Sequence, residues 1–375
     1  MPRSLLYAVL ALVASGCGRG GLDPAEITRV FARHSYAQCD LARLEEALRR
    51  PGQPDLTAFD ANALFSPQGW RPAPGAVEPP KAGTGMVLWK MATGAVVVKV
   101  FAGSPAEAAG IKAGDRIDLI DDTPVAAMTA DAVRAALAGD TGGICQVAGK
   151  KPSGVEFKAA LGRDFGAVPV VWGFNIPGTR AGYLRVFNFS GKTSDSVRAE
   201  LDSLLDGGAQ RVIIDLRGNY GGSLDELART LALFAPRAGK VFSAVSRHAG
   251  YSKVFLADGS GPYSGVKTLL LADAGTVSRA EVFAATLREW GGAVLVGGAT
   301  GGNVSATRSF QLANGAALRI TVAHLLTPSG EDLDGKGLVP DVPVQGGAQR
   351  EKKFLPLPDP LASADEVLIK ALAAN

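Results

Sequence analysis

Hydrophobic spacing divides the chain into stretches of different character. Leu41, Leu44 and Leu48 recur at three and four residues beside the helix-forming run "EEALRR", so residues 22–50 are predicted to be helical. Val96, Val98 and Val100 alternate with their neighbours, as a strand with one buried face does. From residue 182 onward, "GYLRVFNF", "RVIIDL", "VKTLLL" and "AVLVGG" read as strands, the last three buried. Between them lie the helical patterns "SDSVRAELDSLLDGG", with apolar Val197, Leu201, Leu204 and Leu205, then "SLDELARTLALFA" and "RAEVFAATLREWG". Strand and helix alternation predicts an α/β domain with a largely parallel central sheet. Sites in such sheets lie at the carboxyl ends of the strands. Two loops qualify by position, "RGNYGG" after "VIIDL" and "ADAGTVS" after "VKTLLL".

The stretch before that domain is punctuated differently. Residues 51–84 carry many prolines and glycines and read as a linker. "SPAEAAG" is a short helix with Ser104 as N-cap, Pro105 in the first turn and Gly110 past its end. "DRIDLIDDTPV" reads as strand, turn and strand, and "TADAVRAALAG" as a capped amphipathic helix.

Composition narrows the function classes. The 375 residues leave room for two or three domains, and 47 Gly with 22 Pro fit short strands and many turns. Net charge is +3 with acids and bases interleaved and no basic block, which argues for no nucleic-acid partner. Three Cys and three His, without C-x-x-C or H-E-x-x-H spacing, argue against a metal site, and no cofactor is expected. The opening "MPRSLLYAVLALVASGC" has the form of a secretory signal, too short to span a bilayer. Its end resembles a bacterial lipobox. That resemblance implies acylation of Cys17 and a lipid-anchored protein facing the periplasm, exported across the inner membrane of a bacterium. Cys39 and Cys145 would then remain in an oxidising compartment where they could pair.

Candidate chemistry centres on Ser278. It precedes an apolar helix, where helix N–H groups can stabilise a developing oxyanion. Gly218, Gly221 and Gly222 offer uncovered backbone N–H groups, and Glu281 and Glu289 follow on the same helix. By itself, Ser278 with Glu281 also reads as a capping box.

Two resemblances extend this picture. "GSPAEAAGIKAGDRI", with the order of elements around it, resembles a PDZ domain. This implies a groove near Gly83, Thr84, Gly85 and Met86 that holds a substrate's C-terminal carboxylate while its tail adds to a sheet edge. "VIIDLRGNYGG", "GTVSRAEVFAATL", "VGGATGGN" and "LRITVAHLLTPSGEDLDGKGLVPDVPV" stand in the order seen in C-terminal processing peptidases, or tail-specific proteases. The implied fold class is α/β, a PDZ domain followed by a ClpP/crotonase-like peptidase core. The implied activity is serine endopeptidase cleavage near protein C-termini, with peptide tails as partners. By position Ser278 matches the nucleophile, and the N–H groups of Ser278 and Gly218 match the oxyanion hole. The expected organisation is a signal over 1–17, a helical segment and linker over 18–82, a PDZ domain over 83–162, the core over 163–347 and a C-terminal tail and helix over 348–375.

The match breaks at the base. Asn303 occupies the family's lysine position and Thr307 that of its helper glutamine. An amide takes up no proton near neutral pH, so no Ser-Lys dyad forms. A sister branch, related to the tricorn core, uses a histidine from before the PDZ domain and an acid near "PD". Asp334 matches that acid, Asn62 falls at the histidine position, and His34 is the one histidine before the PDZ segment. His34 oriented by Asp334 is one expected base. His324 falls on a strand that carries the base in neither branch, and His248 reads as a loop residue. The other expectation is an inactive member that keeps its PDZ domain as a membrane-anchored binding module.

Overall fold

The computed structural model of the protein describes residues 23–50, 54–66, 82–166, 169–344 and 362–374. The expected signal with Cys17, much of the linker and most of the tail lie outside these residues. Two compact units result. One gathers the described residues of Met1–Ala73 with Ser246–Tyr251 and Ala306–Ala323; the other holds those of Pro74–Val245, Ser252–Ser305 and His324–Asn375. Among the described residues no helix is long and apolar enough to cross a membrane.

In the first unit the predicted helical stretch forms two helices, Pro24–His34 and Leu41–Arg49. Asp23 and Asp40 cap them by accepting from Ala25 N at 2.9 Å and Arg43 N at 3.0 Å, which satisfies N–H groups a helix start leaves orphaned. Their apolar faces, Ile27, Phe31, Leu44 and Leu48, bury against Phe65, Leu318 and Ile320. Strand Leu64–Ser66 pairs antiparallel with Ala317–Arg319.

The second unit is built on a six-stranded sheet. Val171–Asn175 pairs antiparallel with Ala181–Val186; then Arg211–Asp215, Lys267–Ala272, Val294–Gly297 and Val342–Pro343 follow in parallel. Helices Thr193–Asp206, Leu224–Ala232 and Arg279–Gly291 connect these strands, as the alternating pattern predicts. The sheet residues Tyr183, Ile213, Leu269, Leu271 and Val296 pack on Val367, Leu368 and Ala371 of the C-terminal helix Glu366–Ala373.

The same unit contains the domain with PDZ-like punctuation. Strands Met86–Met91, Gly94–Val100, Arg116–Ile120, Ile144–Lys150 and Glu156–Gly162 form its sheet. Ser104 caps helix Pro105–Ala108 as expected, its Oγ accepting from Glu107 N at 3.1 Å. The expected alternation of Val96, Val98 and Val100 is broken. The pairing slips between Val87 and Leu88, opposite Lys99 and Val97, and Val98 is the extra residue. A one-residue slip exchanges faces. Val96 and Val98 therefore meet Phe101, Trp172 and Phe174 in the sheet's cluster, while Val97 and Val100 join the domain's own core. Both faces of this strand are covered because the small domain packs directly on the large one. Lys99 adds an ion pair with Glu200 at 2.9 Å. Cys39 and Cys145 are free, so the possible disulfide is not formed. Burial pushes the Cys145 thiol up to about 11.

Gly83, Thr84, Gly85 and Met86 lead into strand Met86–Met91. Gly83 exchanges backbone hydrogen bonds with Phe165 at 3.1 Å, and the carbonyls of Thr84 and Gly85 accept from Ala106 N at 3.0 Å and Phe101 N at 2.9 Å. Strand Met86–Met91 pairs with Gly94–Val100 on one side; on the other, Lys90 N donates to Ser363 Oγ at 2.7 Å. Gly85 has φ +79°, and a Cβ there would stand 2.1 Å from Ser104 Cβ. Gly85→Ala is expected to destabilise the protein by about 2–3 kcal/mol, from overpacking plus a positive φ. Gly103→Ala is the control, since φ is +72° there with nothing within 4 Å. Equal denaturation midpoints for the two variants would refute the steric part.

Candidate active site

Ser278 lies between strand Lys267–Ala272 and helix Arg279–Gly291. Its φ of 63° and ψ of −122° are costly for a residue with a side chain, by about 1–3 kcal/mol. Neighbouring bonds hold it there. Val277 N donates to Asn219 O at 2.9 Å, and Thr276 Oγ1 to Leu216 O at 3.0 Å. Asn219 in turn donates from Nδ2 to Val186 O at 3.0 Å and accepts from Gly221 N at 2.9 Å. A Cβ on Gly221 would stand 3.1 Å from Ser278 Cβ, so this close approach requires glycine. The strand-end position and the glycine loop come together as the sequence pattern implies.

The expected donor roles differ. Ser278 N donates to Glu281 Oε2 at 3.0 Å, and Gly218 N donates to Asp273 Oδ1 at 2.9 Å. Both N–H groups expected in the oxyanion hole are thus engaged by carboxylates. Glu281 is fully buried and accepts further bonds from Thr300 Oγ1 at 2.5 Å, Gly302 N at 2.7 Å and Asn303 N at 2.9 Å. Burial raises its pKa against the pull of these donors. Its carboxylate joins the serine turn to the loop that holds Asn303.

The partner of Ser278 Oγ is one that the motifs do not name. Arg279 Nη1 donates to it at 2.8 Å. A guanidinium has no acceptor, so it cannot be the base. Among the described residues Arg279 has no carboxylate partner, its buried Nε has no hydrogen bond, and burial lowers its pKa. The one signal in the sequence is a charged residue directly after the serine, at the head of a helix whose next eight residues are buried.

The expected dyad of His34 and Asp334 is replaced by other pairings. His34 belongs to the first unit, where Nδ1 stands 2.6 Å from Tyr251 Oη and the ring stacks on Phe310 at 4.5 Å. Burial, with His248, Arg308 and Arg33 nearby, pushes its pKa below the usual value. Asn62 is fixed in a turn, donating from Nδ2 to Thr321 Oγ1 at 3.2 Å. Asp334 belongs to the second unit and accepts from Val304 N at 3.3 Å and Ser305 Oγ at 3.2 Å. The histidine it meets is His324, with Nε2 3.9 Å away. Asp332 holds His324 Nδ1 at 2.9 Å. A carboxylate only accepts, so Nδ1 carries a proton in this bond. Glu289 accepts from Ser329 N at 3.0 Å and Oγ at 2.9 Å, a structural tie.

Known proteins share this architecture. The model of peptidase family S41 matches residues 180–344, and a PDZ model matches residues 96–147. The carboxy-terminal processing protease CtpA of Bacillus subtilis is 30% identical over 247 residues, covering 66% of this chain and 52% of the relative. A carboxyl-terminal-processing protease of Picosynechococcus is 31% identical over 248 residues, covering 65% and 59%. The chain therefore spans between half and three fifths of the length of these curated relatives. The solved photosystem II D1 C-terminal processing protease superposes with a TM-score of 0.52 at 22% identity, over 88% of this chain and 94% of that one, a likeness of fold. The chain thus carries a PDZ domain leading into a peptidase family S41 domain and is similar to carboxyl-terminal processing proteases.

Proposed function

We propose that the protein is a serine endopeptidase that cleaves near the C-termini of exported proteins, with Ser278 as nucleophile and the PDZ domain binding the substrate tail. The observation that carries this is Ser278 itself, held at φ 63° on a strand-to-helix turn against a glycine loop. Strain of this kind, over-determined by buried hydrogen bonds, is a mark of functional turns. Export and a lipid anchor on Cys17 complete the proposal; failure of the cells to incorporate labelled palmitate into the protein would remove the anchor.

His324 is the proposed base. It lies in the same unit as Ser278, and Asp332 and Asp334 flank it. Asp334 also accepts from Val304 N and Ser305 Oγ, the two residues that follow Asn303 in the chain. A reporter protein with an unstructured tail tests the reading. Wild type is expected to cut it and to take a fluorophosphonate label on Ser278, and His324→Gln to lower kcat about a hundredfold. Unlabelled Ser278 with an intact tail overturns the nucleophile. Full activity of His324→Gln overturns the base alone.

A second reading has its own support. Asn303, the Arg279 bond to Ser278 Oγ and the engaged N–H groups fit a family member that binds tails without cutting them. Tails bound at micromolar affinity but left whole by wild type would select it.

A further inference from the structure

We propose that the guanidinium of Arg279 supplies the oxyanion donor of this site, in place of the backbone N–H groups of Ser278 and Gly218. The inference rests on Ser278 as the nucleophile. Three observations converge on it. The two N–H groups expected to form the oxyanion hole are held by Glu281 and Asp273 at 3.0 and 2.9 Å. Arg279 Nη1 stands 2.8 Å from Ser278 Oγ, the atom to which the reacting carbon becomes bonded. Arg279 Nε is buried with no partner, and among the described residues no carboxylate neutralises the group. A half-buried cation with an unmet buried donor, fixed beside a reacting oxygen, is preorganised for negative charge that arises only during the reaction.

The surroundings fit this role. Arg279 is the first residue of a 13-residue helix, whose N-terminal end also favours an anion. The Arg279 stem lies along the glycine loop; a Cβ on Gly221 would stand 3.1 Å from Arg279 Cδ and push it aside. Arginine keeps its charge at any working pH and presents a planar fork of donors. In the proposed step, Ser278 Oγ bonds to the carbonyl carbon and the carbonyl π pair moves onto its oxygen. The Oγ proton passes to His324. Arg279 changes no bond. It shifts its hydrogen bond from Oγ to the new anionic oxygen, which sits on the carbon that Oγ has joined.

A peptide boronic acid isolates this interaction without requiring turnover. Oγ bonds to trigonal boron, its proton leaves to the buffer, and boron becomes tetrahedral and negatively charged. The probe is an acetylated tripeptide ending in boroalanine, with the matching peptide amide as its uncharged control. Wild type is expected to give tetrahedral boron by NMR. Arg279→Met is expected to bind the boronic acid on the order of a hundredfold more weakly, the range of one lost oxyanion donor. Its affinity for the amide should change less than about threefold. Arg279→Lys, which restores charge without the fork, should recover part of the loss. Undiminished boronate affinity in Arg279→Met overturns the proposal, as does an equal loss for amide and boronate, which marks a purely structural residue. If Arg279→Met does not fold, Arg279→Gln provides the same comparison. Boronate affinity unchanged in Ser278→Ala, or trigonal boron bound to wild type, overturns the nucleophile and this inference with it. A loss confined to the Arg279 variants with tetrahedral boron in wild type supports both.

Discussion

Ser278→Ala is expected to remove tail cleavage by at least about a thousandfold in kcat while leaving tail binding unchanged. Loss of a catalytic serine acts on the transition state and not on ground-state binding, so KM should hold. Stability gives a second, independent signal. Alanine keeps the Cβ and therefore keeps the strain of φ 63°. Ser278→Gly removes that strain, at the expense of extra freedom in the unfolded chain. We expect Ser278→Gly to be inactive yet more stable than Ser278→Ala by about 1 kcal/mol, the residue of a 1–3 kcal/mol strain. The pair separates a functional turn from a simple helix cap. If both variants unfold at the same denaturant concentration, the turn stores no strain. If Ser278→Ala still cleaves at the wild-type rate, the nucleophile lies elsewhere.

Much of the fold is legible in the amino-acid sequence, for physical reasons. The strands Arg211–Asp215, Lys267–Ala272 and Val294–Gly297 are continuous apolar runs, since helices cover a parallel sheet on both faces. A cap such as Ser104 is local chemistry within three residues, so it reads directly from sequence. Ser278 at a strand end follows from the same alternation. Three features are not legible. "AVVVKV" reads as alternating, but its consecutive valines are the trace of a strand covered on both faces, and the slip at Val98 depends on its partner strand. Chain order favours His34, whereas Asp334 meets His324, ten residues before it and brought back by the chain reversal between them. Asn303 at the expected lysine position is read from the motif, but the contact of Arg279 with Ser278 is not. A hydrogen bond to the adjacent serine leaves no spacing pattern, and the lack of an acid partner for Arg279 among the described residues is a fact of three dimensions.

Asp215→Ala is expected to destabilise the protein by about 3–5 kcal/mol, because it leaves Arg185 without its carboxylate and removes one of the two that hold Arg217. Asp215 ends the strand that leads into the glycine loop and is 1% exposed. Arg185 Nη1 stands 2.7 Å from it, Arg217 Nε donates to it at 2.9 Å and Nη2 at 2.6 Å, and Tyr183 Oη donates at 2.7 Å. Arg217 reaches on to Asp365 at 2.9 and 2.5 Å. Asp365 also caps the C-terminal helix through Val367 N at 3.1 Å and Leu368 N at 3.2 Å. One network thus ties the sheet, the start of the glycine loop and that helix together. Asp365 still neutralises Arg217 in the variant, so Arg185 is the cation left most exposed to the loss. Burial alone would raise the Asp215 pKa, but the Arg185 and Arg217 guanidiniums override it and hold the carboxyl well below the usual carboxylate range. The sign follows from linkage. The folded pKa lies below the unfolded value of about 3.9, so the stabilisation is complete above that pH. It is lost progressively as the pH falls below about 4 toward the folded pKa. Wild type should therefore lose stability between about pH 4 and 2 more steeply than Asp215→Ala, whose network no longer contains this group. Urea unfolding followed by tryptophan fluorescence reads the difference, since Trp172 packs beside Tyr183 at a ring distance of 5.4 Å. Parallel acid profiles for the two proteins would show that Asp215 is not held ionised by its arginines. The expected outcome is convergence: a wide gap between the two proteins at neutral pH that narrows as Asp215 takes up its proton in wild type.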